Sequence, residues 1–233
     1  MEGFLLVDKP CGWTSFDVVG YVRKEVAKSS GVKSKQIKVG HAGTLDPFAS
    51  GLLILFVGRN YTTRAGEFLK LDKTYSLNME LGCASTTGDP EGVLERVAYA
   101  GHPPSLLDIE QALKQFTGAQ EQTPPTYSAI KVNGVRAYKL AREHKPVELS
   151  PRKITVYGLG LDDYTYPELK LMANVSSGTY IRSLVEDIGI WLGTKAYTKE
   201  LRRISIAGLS IDQAVRIDQI NEHTIASMLL ATL

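Results

Sequence analysis

The chain has 233 residues, with 27 Lys and Arg against 25 Asp and Glu, a net charge of +2. At 43% hydrophobic and 22% charged residues, its composition is that of a globular protein of one large or two small domains. That excludes a disordered tail, a collagen-like fibre and a disulfide scaffold, and any surface for nucleic acid has to be local.

Cys11 and Cys83 are lone thiols without CxxC spacing, as expected in a reducing cytosol. The apolar run at 4–7 follows acidic Glu2, and the longest run covers only 52–57. Neither makes a signal peptide or a membrane span, so a cytoplasmic protein without a membrane partner is expected.

In chain order, residues 3–7 predict a buried strand closed by Asp8-Lys9-Pro10. Ser15 predicts the cap of a helix over 16–28, with Val18, Val19, Val22 and Val26 on its buried face. Residues 23–38 are basic, with Arg23, Lys24, Lys28, Lys33, Lys35 and Lys38 against Glu25. Residues 39–51, with three Gly and a Pro, predict a shaped loop. Residues 52–57 predict a strand buried on both sides. A helix over 62–69 and an alternating strand over 73–81 follow. Ser105 and Asp108 predict a capped helix that ends near Phe116, with Gly118 as its stop. Residues 123–152 form a proline-bounded basic segment. A strand over 169–175 leads to a helix with Ile181, Leu184, Val185, Ile188 and Leu192 on one stripe. A short strand over 202–206 and two short helices finish the chain, an irregular alternation that predicts a mixed α/β or α+β fold.

The dinucleotide fingerprint, the phosphate loop and the GxSxG elbow do not occur, and His41, His102, His144 and His223 lack metal-ligand spacing. An enzyme built on this chain is expected to use neither cofactor nor metal. Asp46 stands out because Gly40, Gly43 and Gly51 flank it and would let a ligand approach the backbone. Asp followed by Pro is by itself turn chemistry.

The segments Gly3-Phe-Leu-Leu-Val-Asp-Lys-Pro10, Gly40-His-Ala-Gly-Thr-Leu-Asp-Pro-Phe-Ala-Ser-Gly51, Asp72-Lys-Thr-Tyr75, Leu81-Gly-Cys-Ala-Ser-Thr-Thr-Gly-Asp89, Pro125-Thr-Tyr-Ser-Ala-Ile-Lys131, Gly178-Thr-Tyr-Ile-Arg182 and Leu201-Arg-Arg203 resemble the TruB family of tRNA pseudouridine synthases. They come in family order and span residues 3 to about 215. The resemblance implies an α+β catalytic domain over 1–215, with a mixed, largely antiparallel central sheet flanked by helices. It also implies a thumb-like insertion over 123–152 and a short helical tail over 216–233 where many members carry a PUA domain. The implied reaction is isomerisation of uridine to pseudouridine, at position 55 in the T-loop of tRNA, by a monomer. Another stem-loop RNA, or tRNA-folding chaperone action with secondary catalysis, are the alternative readings.

The resemblance also assigns roles. Asp46 is the essential carboxylate, either as nucleophile or as base in a glycal route. Arg182 pairs with it and keeps it ionised. Tyr75 stacks on the target base and takes the C5 proton, and Tyr180 and Leu201 line the uracil pocket. His41 wedges into the RNA loop. Lys73, Lys131 and Arg202 stand in matching motifs as RNA-binding residues. One departure is Asn60-Tyr-Thr-Thr63, where the family carries an Ala-Thr-Lys run, so Arg64 would have to replace that lysine.

Overall fold

Strand β1 (Gly3–Lys9) alternates Phe4 and Leu6 with Leu5 and Val7, all buried, and so needs cover on both faces. The computed structural model describes residues 1–96, 102–132, 134–143 and 145–232 and shows what covers them; His144 lies outside the described residues. Helix α1 (Ser15–Ser29), β2 (Val39–Ala42), β3 (Ser50–Val57), the short helices α2 (Arg59–Thr62) and α3 (Ala65–Leu69), and β4 (Lys73–Leu81) follow. Next come β5 (Cys83–Ser85), β6 (Leu94–Arg96), α4 (Leu106–Gln115), β7 (Gly118–Gln122), β8 (Lys131–Val132), β9 (Val135–Arg136) and α5 (Ala137–Arg142). The rest is β10 (Arg152–Thr165), β11 (Glu168–Val175), α6 (Ile181–Trp191), β12 (Ala196–Ile206), β13 (Leu209–Ser210), β14 (Val215–Arg216) and α7 (Ile225–Met228).

The chain gathers into two compact units, Met1–Tyr75 with Leu201–Leu233, and Ser76–Glu200. Strands β4 and β12 have residues in both. In the first unit β3 pairs antiparallel with β1 and β2 and parallel with β12, while β1 pairs parallel with β14. Val18, Val19, Val22 and Val26 of α1 cover Leu5, Val7, Leu53, Leu55 and Val57 on one face, joined by Ile220 and Ile225 near the C-terminus. On the other face Phe4, Leu6, Leu52, Ile54 and Phe56 meet Tyr61, Phe68 and Leu71. Phe4 meets Tyr61 edge-on with centroids 4.9 Å apart, the arrangement that aromatic quadrupoles favour. Phe4 and Leu230 exchange both backbone hydrogen bonds, which ties the C-terminal segment to β1. In the second unit β11, β10 and β7 form an antiparallel run beside β4. Helix α4 buries Ile109, Ala112 and Leu113, and α6 buries Ile181, Leu184, Val185 and Ile188.

The mixed, largely antiparallel and helix-flanked arrangement is the one the sequence predicts. Several local expectations are corrected. The cap of α1 is Thr14, which forms a reciprocal box with Asp17, and Ser15 is the first helical residue. The start of the 39–51 segment is strand β2, because β3 is long enough to pair with it. The helix expected over 62–69 is two short helices, α2 and α3. Strands β7 and β10 carry polar residues in place of a clear alternation and gave no periodic signal.

Gly51 is where β3 runs beside β12. At φ +108° it takes a conformation that side chains rarely adopt, and a Cβ there would collide with the backbone of Arg203. Gly51→Ala should therefore lower stability by at least ~2 kcal/mol, measured by urea unfolding. A variant as stable as wild type would show that the two strands can part without loss.

Candidate active site

The loop that carries Asp46 is short and is fixed through its backbone, largely by buried side chains. Asp46, Pro47, Phe48 and Ala49 make a turn in which Ala49 N–H donates to Asp46 C=O at 3.1 Å. Pro47 takes the second position of that turn, which its fixed φ favours. Pro47 C=O accepts from Gly12 N–H at 2.8 Å and from Lys9 Nζ at 3.4 Å. Lys9 is fully buried, and its ammonium also donates to Pro10 C=O (2.9 Å) and Trp13 C=O (2.6 Å). Ser15 Oγ accepts from Leu45 N–H at 2.9 Å and donates to Leu45 C=O at 3.1 Å. The exposed thiol of Cys11 donates to Phe48 C=O at 3.1 Å.

Arg203 completes this mounting. It is 1% exposed, and its Nε donates to Leu52 C=O at 2.7 Å while Nη2 donates to Gly43 C=O at 2.9 Å. A buried cation is tolerated only when its donors are used, and each charge-assisted bond contributes roughly 1.5–3 kcal/mol. Gly43 sits directly against this group, since a Cβ there would lie 3.5 Å from Arg203 Nη1 and 3.6 Å from Lys73 Cε. Of the glycines that flank Asp46, only at Gly51 does the protein itself leave no room for a side chain. At Gly43 and Gly40 a Cβ would meet Arg203, Lys73 and Thr62 only at ordinary contact distances, whereas at Gly51 it would collide with the Arg203 backbone.

Two further predicted residues lie in this neighbourhood. His41, on β2, stands edge-on to Phe16 with centroids 5.4 Å apart. Burial, helped by the Arg203 charge, pushes its imidazole below the usual histidine range. Lys73 is buried, and its ammonium donates to Leu71 C=O. Burial and the nearby Arg203 push its pKa down to about 8, against a smaller opposing pull from Asp72. Tyr75 on β4 and Leu201 on β12 are both buried. Arg202 alternates outward from Arg203, and its fork is engaged by Asp8 (3.0 and 2.7 Å) with Ser50 Oγ at 3.3 Å.

In the second unit Arg182 is 4% exposed in the first turn of α6. Its Nη1 donates to Thr87 C=O at 2.7 Å and lies 3.2 Å from Asp89 Oδ2, and its Nη2 donates to Tyr127 C=O at 2.8 Å. Asp89 Oδ1 accepts from Thr87 Oγ1 and from Glu91 N–H, which orients the carboxylate. Gly88 admits the close approach of α6, because a Cβ there would lie 2.6 Å from Glu186 Oε1 and 3.3 Å from Arg182 Cβ. Burial raises the Glu186 pKa, partly opposed by Arg182. Tyr180 immediately precedes α6, held by the buried side chain of Gln122. Lys131 is exposed on the β8–β9 hairpin, followed by α5, where Arg142 lies over the ring of Tyr138 at 5.6 Å.

Sequence reasoning missed Lys9, Arg203, Asp89 and Gln122, and gave Ser15 the wrong role. A signal existed for the two cations. Lys9 falls on the buried phase of β1, two residues after Val7, and Arg203 on that of β12, two residues after Leu201. Asp89 and Gln122 carry no such mark.

Residues 30–181 match the TruB family pseudouridylate synthase N-terminal domain. The chain is 42% identical over 222 residues to tRNA pseudouridine synthase B of Aquifex aeolicus, covering 94% of this chain and 73% of that protein. It is 39% identical over 228 residues to the protein of that name from Protochlamydia amoebophila, covering 98% and 82%. Among solved structures, a chain of a Cbf5-Nop10-Gar1 complex superposes with a TM-score of 0.69 at 28% identity. That match covers 93% of this chain and 53% of the other, so this chain spans about half of it.

Lys73 supplies a pH test. Its folded pKa of about 8 lies below the ordinary lysine value of 10.5, so between the two the unfolded chain holds the extra proton. This group therefore makes stability rise as pH rises from about 8 towards 10.5. In urea unfolding across that window, wild type should gain on Lys73→Met; parallel curves would mean that Lys73 titrates as an exposed lysine does.

Proposed function

The chain belongs to the TruB family of pseudouridylate synthases, and from that premise we propose that it isomerises uridine 55 in the T-loop of tRNA to pseudouridine. The observation that carries the reading is the mounting of Asp46. Its carboxylate stands on a turn whose neighbouring carbonyls are held by Lys9, Gly12, Ser15 and Arg203. A nucleophile or base works only if it is aimed before the substrate arrives, and a loop fixed through its own backbone achieves that.

The isomerisation is balanced within the substrate. The N1–C1′ bond breaks, the uracil turns, C5 bonds to C1′, the C5 proton leaves and N1 gains a proton. In this reading the Asp46 carboxylate either adds to C1′ or removes the C2′ proton to give a glycal. Arg182 is the cationic partner that keeps it ionised, and Tyr75 stacks on the base and takes the C5 proton. Tyr180 and Leu201 wall the uracil, and His41 fills the gap in the RNA stack. Base extrusion costs a few kcal/mol, and aromatic stacking can return about 1–3 kcal/mol of it. A largely neutral imidazole suits the role of His41, since it enters a stack without a buried charge. Arg202, already engaged by Asp8, acts on RNA through the surface it shapes.

Phosphates are met by local positive surface. Lys33, Lys35 and Lys38 are exposed, with no ion-pair partner among the described residues. Lys38 C=O accepts from Gly58 N–H at 2.8 Å, which places exposed Arg59 next to this stretch. The hairpin and α5 add Lys131, Arg136, Lys139 and Arg142.

With unmodified tRNA transcript, wild type should form pseudouridine at position 55, and Asp46→Asn should form none while still binding the RNA. Equal product from both would end the assignment of Asp46, and no product from wild type would end the functional reading. Changing Lys33, Lys35 and Lys38 together to Gln should flatten the slope of log K against log salt by about 2–3. An unchanged slope would remove that stretch from the RNA surface.

A further inference from the structure

Gln122 ends β7 with its side chain buried, at 4% exposure, and both ends of its amide meet a single residue. Oε1 accepts from Tyr180 N–H at 2.8 Å, and Nε2 donates to Tyr180 C=O at 3.0 Å. The side chain thus acts as one peptide unit of a β-ladder and fixes the donor and the acceptor of Tyr180 together.

Tyr180 needs this support. It occupies the N-cap of α6 with φ −97° and ψ 111°, yet no side chain caps that helix. Ser, Thr, Asp or Asn would normally hold such a residue in its extended conformation, and a tyrosine has no oxygen at the right distance. The restraint comes from β7 instead. Tyr180 C=O also accepts from Leu184 N–H at 3.1 Å, the first bond of the helix. Next to it, Ser183 Oγ donates to Thr123 C=O at 3.0 Å. Residues 122 and 123 therefore grip the turn that presents both Tyr180 and Arg182.

We propose that Gln122 is a positioning residue for pseudouridine formation: by fixing the Tyr180 backbone it sets the direction of the Tyr180 ring against the uracil and the pose of the turn bearing Arg182. This rests on the functional reading above, in which Tyr180 walls the uracil pocket. An apolar residue at 122 would leave Tyr180 N–H without this acceptor. A glutamate would keep the acceptor, but when ionised it would aim a second oxygen at Tyr180 C=O, where only a protonated carboxyl can donate. Burial and that carbonyl raise the pKa of such a carboxyl, while Arg152, the exposed cross-strand neighbour of Gln122, lowers it.

The test measures single-turnover pseudouridine formation on tRNA with saturating enzyme, beside the Kd for tRNA and a melting curve. Gln122→Met should lower the single-turnover rate about tenfold or more, as small misplacements of positioning groups do, with Kd within about twofold of wild type. Gln122→Glu should approach the wild-type rate near pH 5 and lose it as pH rises towards 8, a limb that wild type and Gln122→Met lack. A wild-type rate for Gln122→Met, or a wild-type pH profile for Gln122→Glu, overturns the proposal. If Gln122→Met does not fold, the Gln122→Glu profile decides alone. Wild type inactive on tRNA would remove the functional reading and this proposal with it. Active wild type with unaffected variants would remove this proposal only.

Discussion

The buried guanidinium of Arg203 is the constraint on which the first unit's chemistry depends. One side chain answers two carbonyls, Leu52 on β3 and Gly43 at the start of the Asp46 loop. It therefore ties the strand that forms the core to the loop that carries the carboxylate. Lys9 does the same from β1 through Pro47. Backbone carbonyls in a short loop do not find N–H donors in the regular way they do in a helix, so side chains have to supply donors. His41 and Lys73 both lose affinity for protons, chiefly through burial, and the Arg203 charge adds to the effect on each. The side chain that holds the loop thus also adds to the local electrostatics.

The second unit solves a comparable problem with a different device. Arg182 is buried among two carbonyls and Asp89, and Asp89 is itself oriented by Thr87 and Glu91. A buried arginine without such a carboxylate would be costly, and one with it is locked in direction. The approach of α6 that this needs is granted at Gly88, which leaves no room for a side chain. A small residue, a fork and a carboxylate together fix one pose.

What was legible in the sequence follows from which forces leave a pattern. The two-sided burial of β1 and β3 and the apolar stripe of α6 read directly, since core burial repeats with the geometry of the element. The cap of α1 was misplaced by one residue because Thr14 and Ser15 are chemically alike, and only the fold shows that Ser15 is occupied by Leu45. Strands β7 and β10 were invisible because their polar residues pair across the ladder without a hydrophobic period. At the site, Asp46 was marked by its flanking glycines, while Tyr75 and Arg182 stood out through a resemblance to a family. The supports Asp89 and Gln122 get their role from Arg182 and Tyr180, distant partners that no local window contains.

The first unit draws on both ends of the chain, whereas the second is one continuous stretch, Ser76–Glu200. During synthesis the continuous unit is complete once residue 200 has cleared the ribosome. Strand β1 and helix α1 are made long before Ile220, Ile225 and Leu230, which cover and pair them. Arg203, which steadies the Asp46 loop, is also made late. Closing this part of the core therefore waits on residues made about 200 positions later, and the Asp46 loop takes its final shape only once Arg203 is in place.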